Sequence, residues 1–361
     1  MKKFFYLAAA ILVILAVFAC VSIDLTTDGS KSSASSSRRM SSDQQYEGKI
    51  MIYTSIYTEV GHVVEKALAE YFPNCQIEFS YGGTGTIQAL IEQQMAAGGK
   101  LGCDILLIAE PSYSMELKGK GLLHPYISSE ASGLAFDYDP QGYWYPVRVS
   151  NMVLAFNPDR TPRNTIPETF YAFANDPSFS NVISMTNPII SGTSLASITA
   201  LRDKYGYAYF DALRRQNVSI DSGSVALEKL QAGEYKMIMV LEEMVLRLRE
   251  EEKSRLEVIY PSDGTIVIPS TIMIINDRWN ANGNIKTAQL ITDWFLSEDG
   301  QEAIVSGWMH SVRKDFNKIP YNSIPTERII QNSIHVNWET LNNDKDEIKS
   351  RFEETVMYRH Q

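Results

Sequence analysis

Four junctions in this chain share one chemistry. Thr54-Ser55-Ile56-Tyr57-Thr58, Gly82-Gly83-Thr84-Gly85-Thr86, Ser191-Gly192-Thr193-Ser194 and Ser222-Gly223-Ser224 are small and hydroxyl-rich. Each lies where a short apolar run gives way to an amphipathic one. The first turn of a helix carries N–H groups without partners, at the positive end of the helix dipole. Glycine lets backbone approach a ligand closely, and Ser or Thr adds a hydroxyl donor. Such a junction suits a phosphate or carboxylate. Plain N-capping selects the same residue types, so each junction taken alone reads as a cap. Four together point to an anion-binding cleft that uses Ser55, Thr84, Gly85, Thr86, Ser191, Gly192, Thr193, Ser194 and Ser222.

Glu242 and Glu243 follow the apolar run 237–241 at a comparable junction. They read as acceptors for ligand hydroxyls, as metal ligands, or as acidic residues that favour a first helical turn. Tyr260 and Asp263, before and within the turn Pro261-Ser262-Asp263-Gly264, either line a hinge or only form the turn. The run Tyr143-Trp144-Tyr145 reads as core, or as a stacking surface. None of the five histidines, His62, His124, His310, His335 and His360, has metal-ligand spacing. No G-x-S-x-G, Walker loop or H-E-x-x-H is present, which makes an enzyme the weaker reading.

The elements that must hold these junctions follow from apolar periodicity. Strands are predicted at 49–53, 76–79 and 105–108, with helices at 59–71, 86–97 and 115–118 between or after them. A second series places strands at 149–156, 182–185, 218–220, 237–241 and 257–260, and helices at 167–174, 194–205, 225–232 and 244–253. A strand at 266–275, helices at 285–296 and 298–306 and a helical tail to 361 complete the chain. Strands that alternate with helices imply parallel sheets covered on both faces. Ligands bind beyond the C-terminal ends of such strands, where all four junctions lie.

The 361 residues allow two globular domains. Residues 1–45 are different in kind. Lys2 and Lys3 precede an uncharged apolar stretch over 4–18, short for a membrane span and suited to an export signal; a membrane anchor is the alternative. Val17-Phe18-Ala19-Cys20 resembles a lipobox, with a bulky Phe18 where a smaller residue is usual. Acylated Cys20 would hold the protein at a membrane, and residues 21–45 have the polar composition of a tether. Setting aside residues 1–45, with five basic and three acidic side chains, leaves 28 basic against 40 acidic residues. That balance disfavours nucleic acid as a partner. Cys75 and Cys103 precede two strands predicted to flank a third, some 9–10 Å apart and beyond disulfide reach, so free thiols are expected over a bridge.

Lys49-Ile50-Met51-Ile52-Tyr53-Thr54-Ser55, Tyr81-Gly82-Gly83-Thr84-Gly85, Cys103-Asp104-Ile105, Gly121-Leu122-Leu123, Pro188 to Ser194, Tyr260-Pro261-Ser262-Asp263-Gly264 and Ser297-Glu298-Asp299-Gly300-Gln301, in that order, resemble the family 1 extracellular solute-binding proteins. The resemblance covers roughly residues 47–315 and is nearest to the binders of ferric iron, 2-aminoethylphosphonate, thiamine and hexose phosphates. It implies an α/β, two-lobed type 2 periplasmic-binding-protein fold with a central cleft and two interlobe crossovers. The expected divisions are a signal peptide at 1–19, a tether at 20–45, lobe 1 at 46–148, lobe 2 at 149–259 and a return with C-terminal helices at 260–361. It also implies an exported monomer without a cofactor, which hands its solute to an ABC permease and ATPase. Ferric-binding members use an adjacent Tyr-Tyr pair, and this sequence has none. The expected transported ligand is ferric iron, alone or with a partner anion or chelator, or a small phosphorylated or carboxylated solute; for Fe(III), Glu242, Glu243 and Tyr260, with Tyr53 or Tyr57, are the available oxygen donors. An exported hydrolase-like enzyme or a surface sensor would reuse the same clamp.

Overall fold

A computed structural model of the protein describes residues 48–358, and Gln45–Gln361 form one compact unit. The proposed signal peptide, Cys20, the tether and His360 lie outside the described residues. The first series is β1 (Gly48–Thr54), α1 (Thr58–Tyr71), β2 (Cys75–Tyr81), α2 (Thr84–Ala96), β3 (Ile105–Ala109) and α3 (Pro111–Gly119). An irregular stretch leads into β4 (Tyr145–Phe156) and α4 (Phe170–Asn175). Then come β5 (Ile183–Thr186), α5 (Gly192–Tyr205), α6 (Ala208–Arg215), β6 (Ser219–Asp221), α7 (Gly223–Ala232), β7 (Met237–Leu241), α8 (Glu242–Glu251) and β8 (Glu257–Ile259). The remainder holds β9 (Thr265–Ile274), α9 (Ile285–Leu296), α10 (Glu298–Ser306), α11 (Thr326–Gln331), β10 (Ser333–Ile334) and α12 (Trp338–Phe352).

The strands run in the order β2-β1-β3-β9-β4-β7-β5-β6. Two parallel half-sheets, β2-β1-β3 and β7-β5-β6, are joined through β9 and β4. β4 is buried along its whole length, as expected of a strand covered on both faces. These two long strands are the crossovers. Apolar residues of both half-sheets, among them Ile52, Leu107, Leu154, Met239 and Ile272, belong to one continuous core.

Register fixes where the half-sheets meet. Ala109, the last residue of β3, pairs with Ser270, which pairs with Arg148. Leu241, the last residue of β7, pairs with Met152. β3 therefore ends level with Arg148 and β7 ends level with Met152, and the two run toward each other. Only residues 149–151 separate those levels, so the two strand tips are offset by ~13 Å along the strand direction at ~3.3 Å per residue.

Two expectations change. The tail is not continuously helical: residues 307–325 are irregular, and Ser333 and Ile334 pair with Thr265 and Ile266. A chain with Pro320 and Pro325 loses the N–H groups a helix needs there. Helix α6 was not expected; Gly206 ends α5 with φ +73°, and a new helix starts two residues later. Helix α12 lies across the junction of the half-sheets. Its Lys345 pairs with Glu116 of α3, while Asp344 reaches Arg202 of α5 at 3.5 Å and Phe352 packs edge-on against Phe210 of α6. Cys75 and Cys103 are free, with β1 between their strands. Among the described residues no helix is long and apolar enough to cross a membrane.

Candidate functional site

Six helices begin at the facing strand tips: α1, α2 and α3 after the first half-sheet, α5, α7 and α8 after the second. All four hydroxyl-rich junctions are among these starts, and they meet across the gap. The Gly85 N–H donates to the Ile190 carbonyl at 3.1 Å. A Cβ placed on Gly192 would lie 2.7 Å from Thr84 Oγ1, and one on Gly223 only 2.3 Å from the Tyr57 hydroxyl. Glycine at these positions lets the two halves close upon each other.

The hydroxyls divide into two kinds. Ser191 Oγ accepts from the Ser194 N–H at 3.2 Å, and Ser222 Oγ from the Val225 N–H at 3.3 Å. Both act as N-caps. Ser194 Oγ donates to the Thr186 carbonyl at 2.5 Å, and Ser55 Oγ accepts from the Ala109 N–H at 2.7 Å, tying β1 to the end of β3. Thr193 is buried, with Ser191 Oγ at 3.1 Å from its hydroxyl. Thr84 is different: it is 3 % exposed and its hydroxyl has no partner. Gly83 caps α2 and offers no side chain, so Thr84 and Thr86 are not caps.

Glu242 is held by protein groups. It is 1 % exposed, and its carboxylate accepts from Asn151 Nδ2 at 2.8 Å, Tyr260 Oη at 2.5 Å and Ser323 Oγ, with His310 Nε2 at 3.2 Å. A carboxylate has about four lone-pair sites, and all four are occupied. Burial alone would raise this carboxyl; the bonds from His310, Ser323 and Tyr260 outweigh it and hold it below the ordinary range. Glu242 and Tyr260, expected to reach a ligand, also join α8 to the C-terminal segment through Ser323 and His310. Asp263 accepts from the Phe170 and Tyr171 N–H groups and from Tyr205, so its turn is an anchor for α4. Trp144 and Tyr145 are core. Tyr53 is packed in the apolar cluster under α2 and α3.

Sequence reasoning missed a buried cation level with the tip of β3. Arg148, 1 % exposed, donates from Nη1 to Ser150 Oγ at 2.6 Å and to Glu243 Oε1 at 3.0 Å. Ser150 Oγ donates to the same oxygen at 2.9 Å. Burial pushes the guanidinium down and the Glu243 carboxyl up, each opposed by the other's charge. Tyr57 comes from the opposite half, and burial, with Glu243 adding, pushes its phenol up to about 12. Among the described residues no group of three or more His, Cys, Asp and Glu side chains could hold a metal ion.

This arrangement of facing strand tips about two crossovers has known counterparts. The model of the bacterial extracellular solute-binding protein family matches residues 103–326, well over half of the chain. The chain belongs to that family. A search of curated protein sequences returns no match. Among solved structures, AfuA from Actinobacillus pleuropneumoniae with fructose-6-phosphate bound aligns at TM-score 0.74 and 18 % identity, over 86 % of this chain and 99 % of that one. Iron-bound HitA from Pseudomonas aeruginosa aligns at 0.72 and 19 %, over 84 % and 99 %. The substrate binding protein of an ABC transporter from Agrobacterium tumefaciens aligns at 0.72 and 13 %, over 87 % and 96 %. At these identities the structures establish that this solute-binding protein has the two-lobed periplasmic binding fold.

Proposed function

We propose that this solute-binding protein serves an ABC importer outside the cytoplasmic membrane, held there by acylated Cys20, and captures a small phosphorylated or carboxylated solute. The lobes are residues 46–148 and 149–259; residues 260–361 return to the first and then cross back through α12. The observation that carries the reading is the convergence of six helix starts on one gap with Arg148 at its floor. Each helix start contributes a positive dipole end, and the buried guanidinium of Arg148, paired with Glu243, lies level with the tip of β3. That field favours an anion. It opposes bare Fe(III), as does the engagement of Glu242 with protein donors, Tyr260 among them. Closure follows from the ligand's preference for the state in which both sets of helix starts touch it.

The test is thermal melting of the purified protein with sugar phosphates, phosphonates, small carboxylates, thiamine, ferric citrate and weakly chelated Fe(III). A ligand at 100 times its dissociation constant adds about 2.7 kcal/mol, a rise of a few degrees for a domain of this size. Anionic solutes should give that rise. A rise with weakly chelated Fe(III) alone would refute the anion reading.

A further inference from the structure

Helix α12 touches both halves, and its two attachments differ in kind. Its apolar residues Leu341, Ile348 and Phe352 are fully buried in the continuous core that also holds Phe210 and Leu213 of α6. Phe352 meets Phe210 edge-on, with 5.3 Å between ring centroids. The attachment to α3 is of another sort. The buried apolar residues of α3, Tyr113 and Leu117, belong to a separate cluster that holds none of the buried residues of α12. The bond to α3 is charged, Lys345 on Glu116.

That bond can be released cheaply. The Lys345 and Glu116 side chains are 20 % and 19 % exposed, so water can replace each partner. Glu116 also has a second cation, because Lys120 of the same helix holds its other oxygen at 2.5 Å. Burial would raise the Glu116 carboxyl, and the bonds from Lys120 and Lys345 outweigh it. When Lys345 leaves, Glu116 keeps Lys120 and no bare charge is stranded. A partly exposed ion pair holds weakly and is screened by salt; a buried aromatic contact is not. Rocking of the halves carries α3 with the first and α6 with the second. Helix α12 cannot follow both, and the weaker attachment gives way.

We propose that α12 is a strap, fixed to the second half by its apolar face and latched to the first by Lys345 on Glu116, and that the latch biases the ligand-free protein toward the arrangement in which the helix starts meet across the gap. A competent state populated in advance raises apparent affinity. The latch therefore tunes affinity from outside the gap, and its strength follows ionic strength whatever the solute.

The Gly85 amide reads that arrangement without a ligand. As the second residue of α2 it has no acceptor within its own helix, and its N–H is held by the Ile190 carbonyl of the other half at 3.1 Å. Its exchange with solvent deuterium, followed by NMR on the whole ligand-free protein at fixed pH, reports opening of the gap. Leu154 and Ala155, in β4 between β7 and β8, report global unfolding. Wild-type Gly85 should exchange more slowly than a free amide and faster than those two. Lys345→Met, which keeps the apolar stem, should speed Gly85 by roughly 3- to 5-fold in about 0.05 M salt. About 0.5 M salt should do the same to the wild type and little more to the variant. Glu116→Gln should match Lys345→Met, and the double variant should go no further than either. Gly85 unchanged in Lys345→Met would make the ion pair a bond kept in every arrangement and overturn the latch. Wild-type Gly85 exchanging as a free amide, or only at the pace of Leu154 and Ala155, would overturn it too. Should Lys345→Met fail to fold, Glu116→Gln and the salt series on the wild type decide.

Discussion

Gly85→Ala isolates closure from folding. Gly85 is the second residue of α2, and its φ is not in the left-handed region, so alanine fits the helix and favours it by roughly 0.5–1 kcal/mol. Across the gap the new methyl group would lie 2.7 Å from the Ile189 carbonyl oxygen and 3.0 Å from Ile190 Cα. Those atoms are backbone and must retreat to about 3.4 Å, the edge of ordinary contact. The retreat strains the 3.1 Å bond from the Gly85 N–H to the Ile190 carbonyl, a loss of about 1 kcal/mol. Overpacking adds about 1–3 kcal/mol. The closed state then loses roughly 2–4 kcal/mol relative to any open one, and apparent affinity falls by ~30- to ~1,000-fold. Calorimetric titration with whichever solute raises the melting temperature measures the loss. The melting temperature of the ligand-free protein should stay the same or rise. Gly119→Ala, where a Cβ meets nothing within 4 Å, is the control. Affinity within threefold of wild type in Gly85→Ala would refute the contact as part of the ligand-bound state.

Glu242→Ala should leave four protein groups without their acceptor and lower stability by ~3–5 kcal/mol, read as a fall of ~5 °C or more in the ligand-free melt. An unchanged melt with lost affinity would return Glu242 to the ligand. Glu110, 1 % exposed, has its carboxyl pushed by burial from 4.5 up to about 7, against Ser112 and the lysines Lys345 and Lys349. Because the folded pKa lies above the unfolded one, the folded state holds more protons between those values. Its contribution is complete below about 4.5 and is lost as pH rises through about 7, amounting to roughly 3 kcal/mol at most. Glu110→Gln should flatten that fall, with melts from pH 4.5 to 8 as the check; a slope equal to wild type would dismiss it. Phe352→Ala empties a fully buried site against Phe210 and should cost ~3–5 kcal/mol in urea unfolding. A cost below 1 kcal/mol would mean that α12 does not bridge the halves.

What could be read from the sequence was whatever depends on local pattern. Alternation of apolar runs with amphipathic stretches located β1 to β3 and α1 to within a few residues. The small Gly and hydroxyl junctions did lie at the strand tips, because helix starts and strand ends demand those residue types. The duty of each hydroxyl was not legible. Ser191 and Thr84 both sit beside glycine at a helix start, yet one caps and the other is unpartnered, and only the fold shows which. Arg148 escaped notice because one cation in Tyr-Pro-Val-Arg-Val-Ser reads as an ordinary strand residue. Its meaning depends on knowing that β4 passes between the half-sheets and that Glu243, 95 positions later, comes to meet it. Helix α6 was recoverable: Gly206 stops one helix, and Tyr209, Phe210 and Leu213 repeat at helical spacing.

The register of β4 against β9 also has a mechanical meaning. β4 and β9 join the half-sheets, pairing at seven positions from Tyr145 to Met152 with one irregularity between Pro146 and Arg148; only Val149 to Asn151 form a two-stranded ribbon with no further named strand beside it. Two-stranded ribbons twist more readily than wide sheets, and a bulge concentrates that twist. Rocking one half against the other can therefore proceed by torsion of the ribbon with its hydrogen bonds intact, as in a leaf spring. Amide protons along the ribbon should exchange only through global unfolding, while the short β6 and β8 exchange through local fraying. Arg148 follows that irregularity, so under the proposed anion reading the charge of a solute would act beside it.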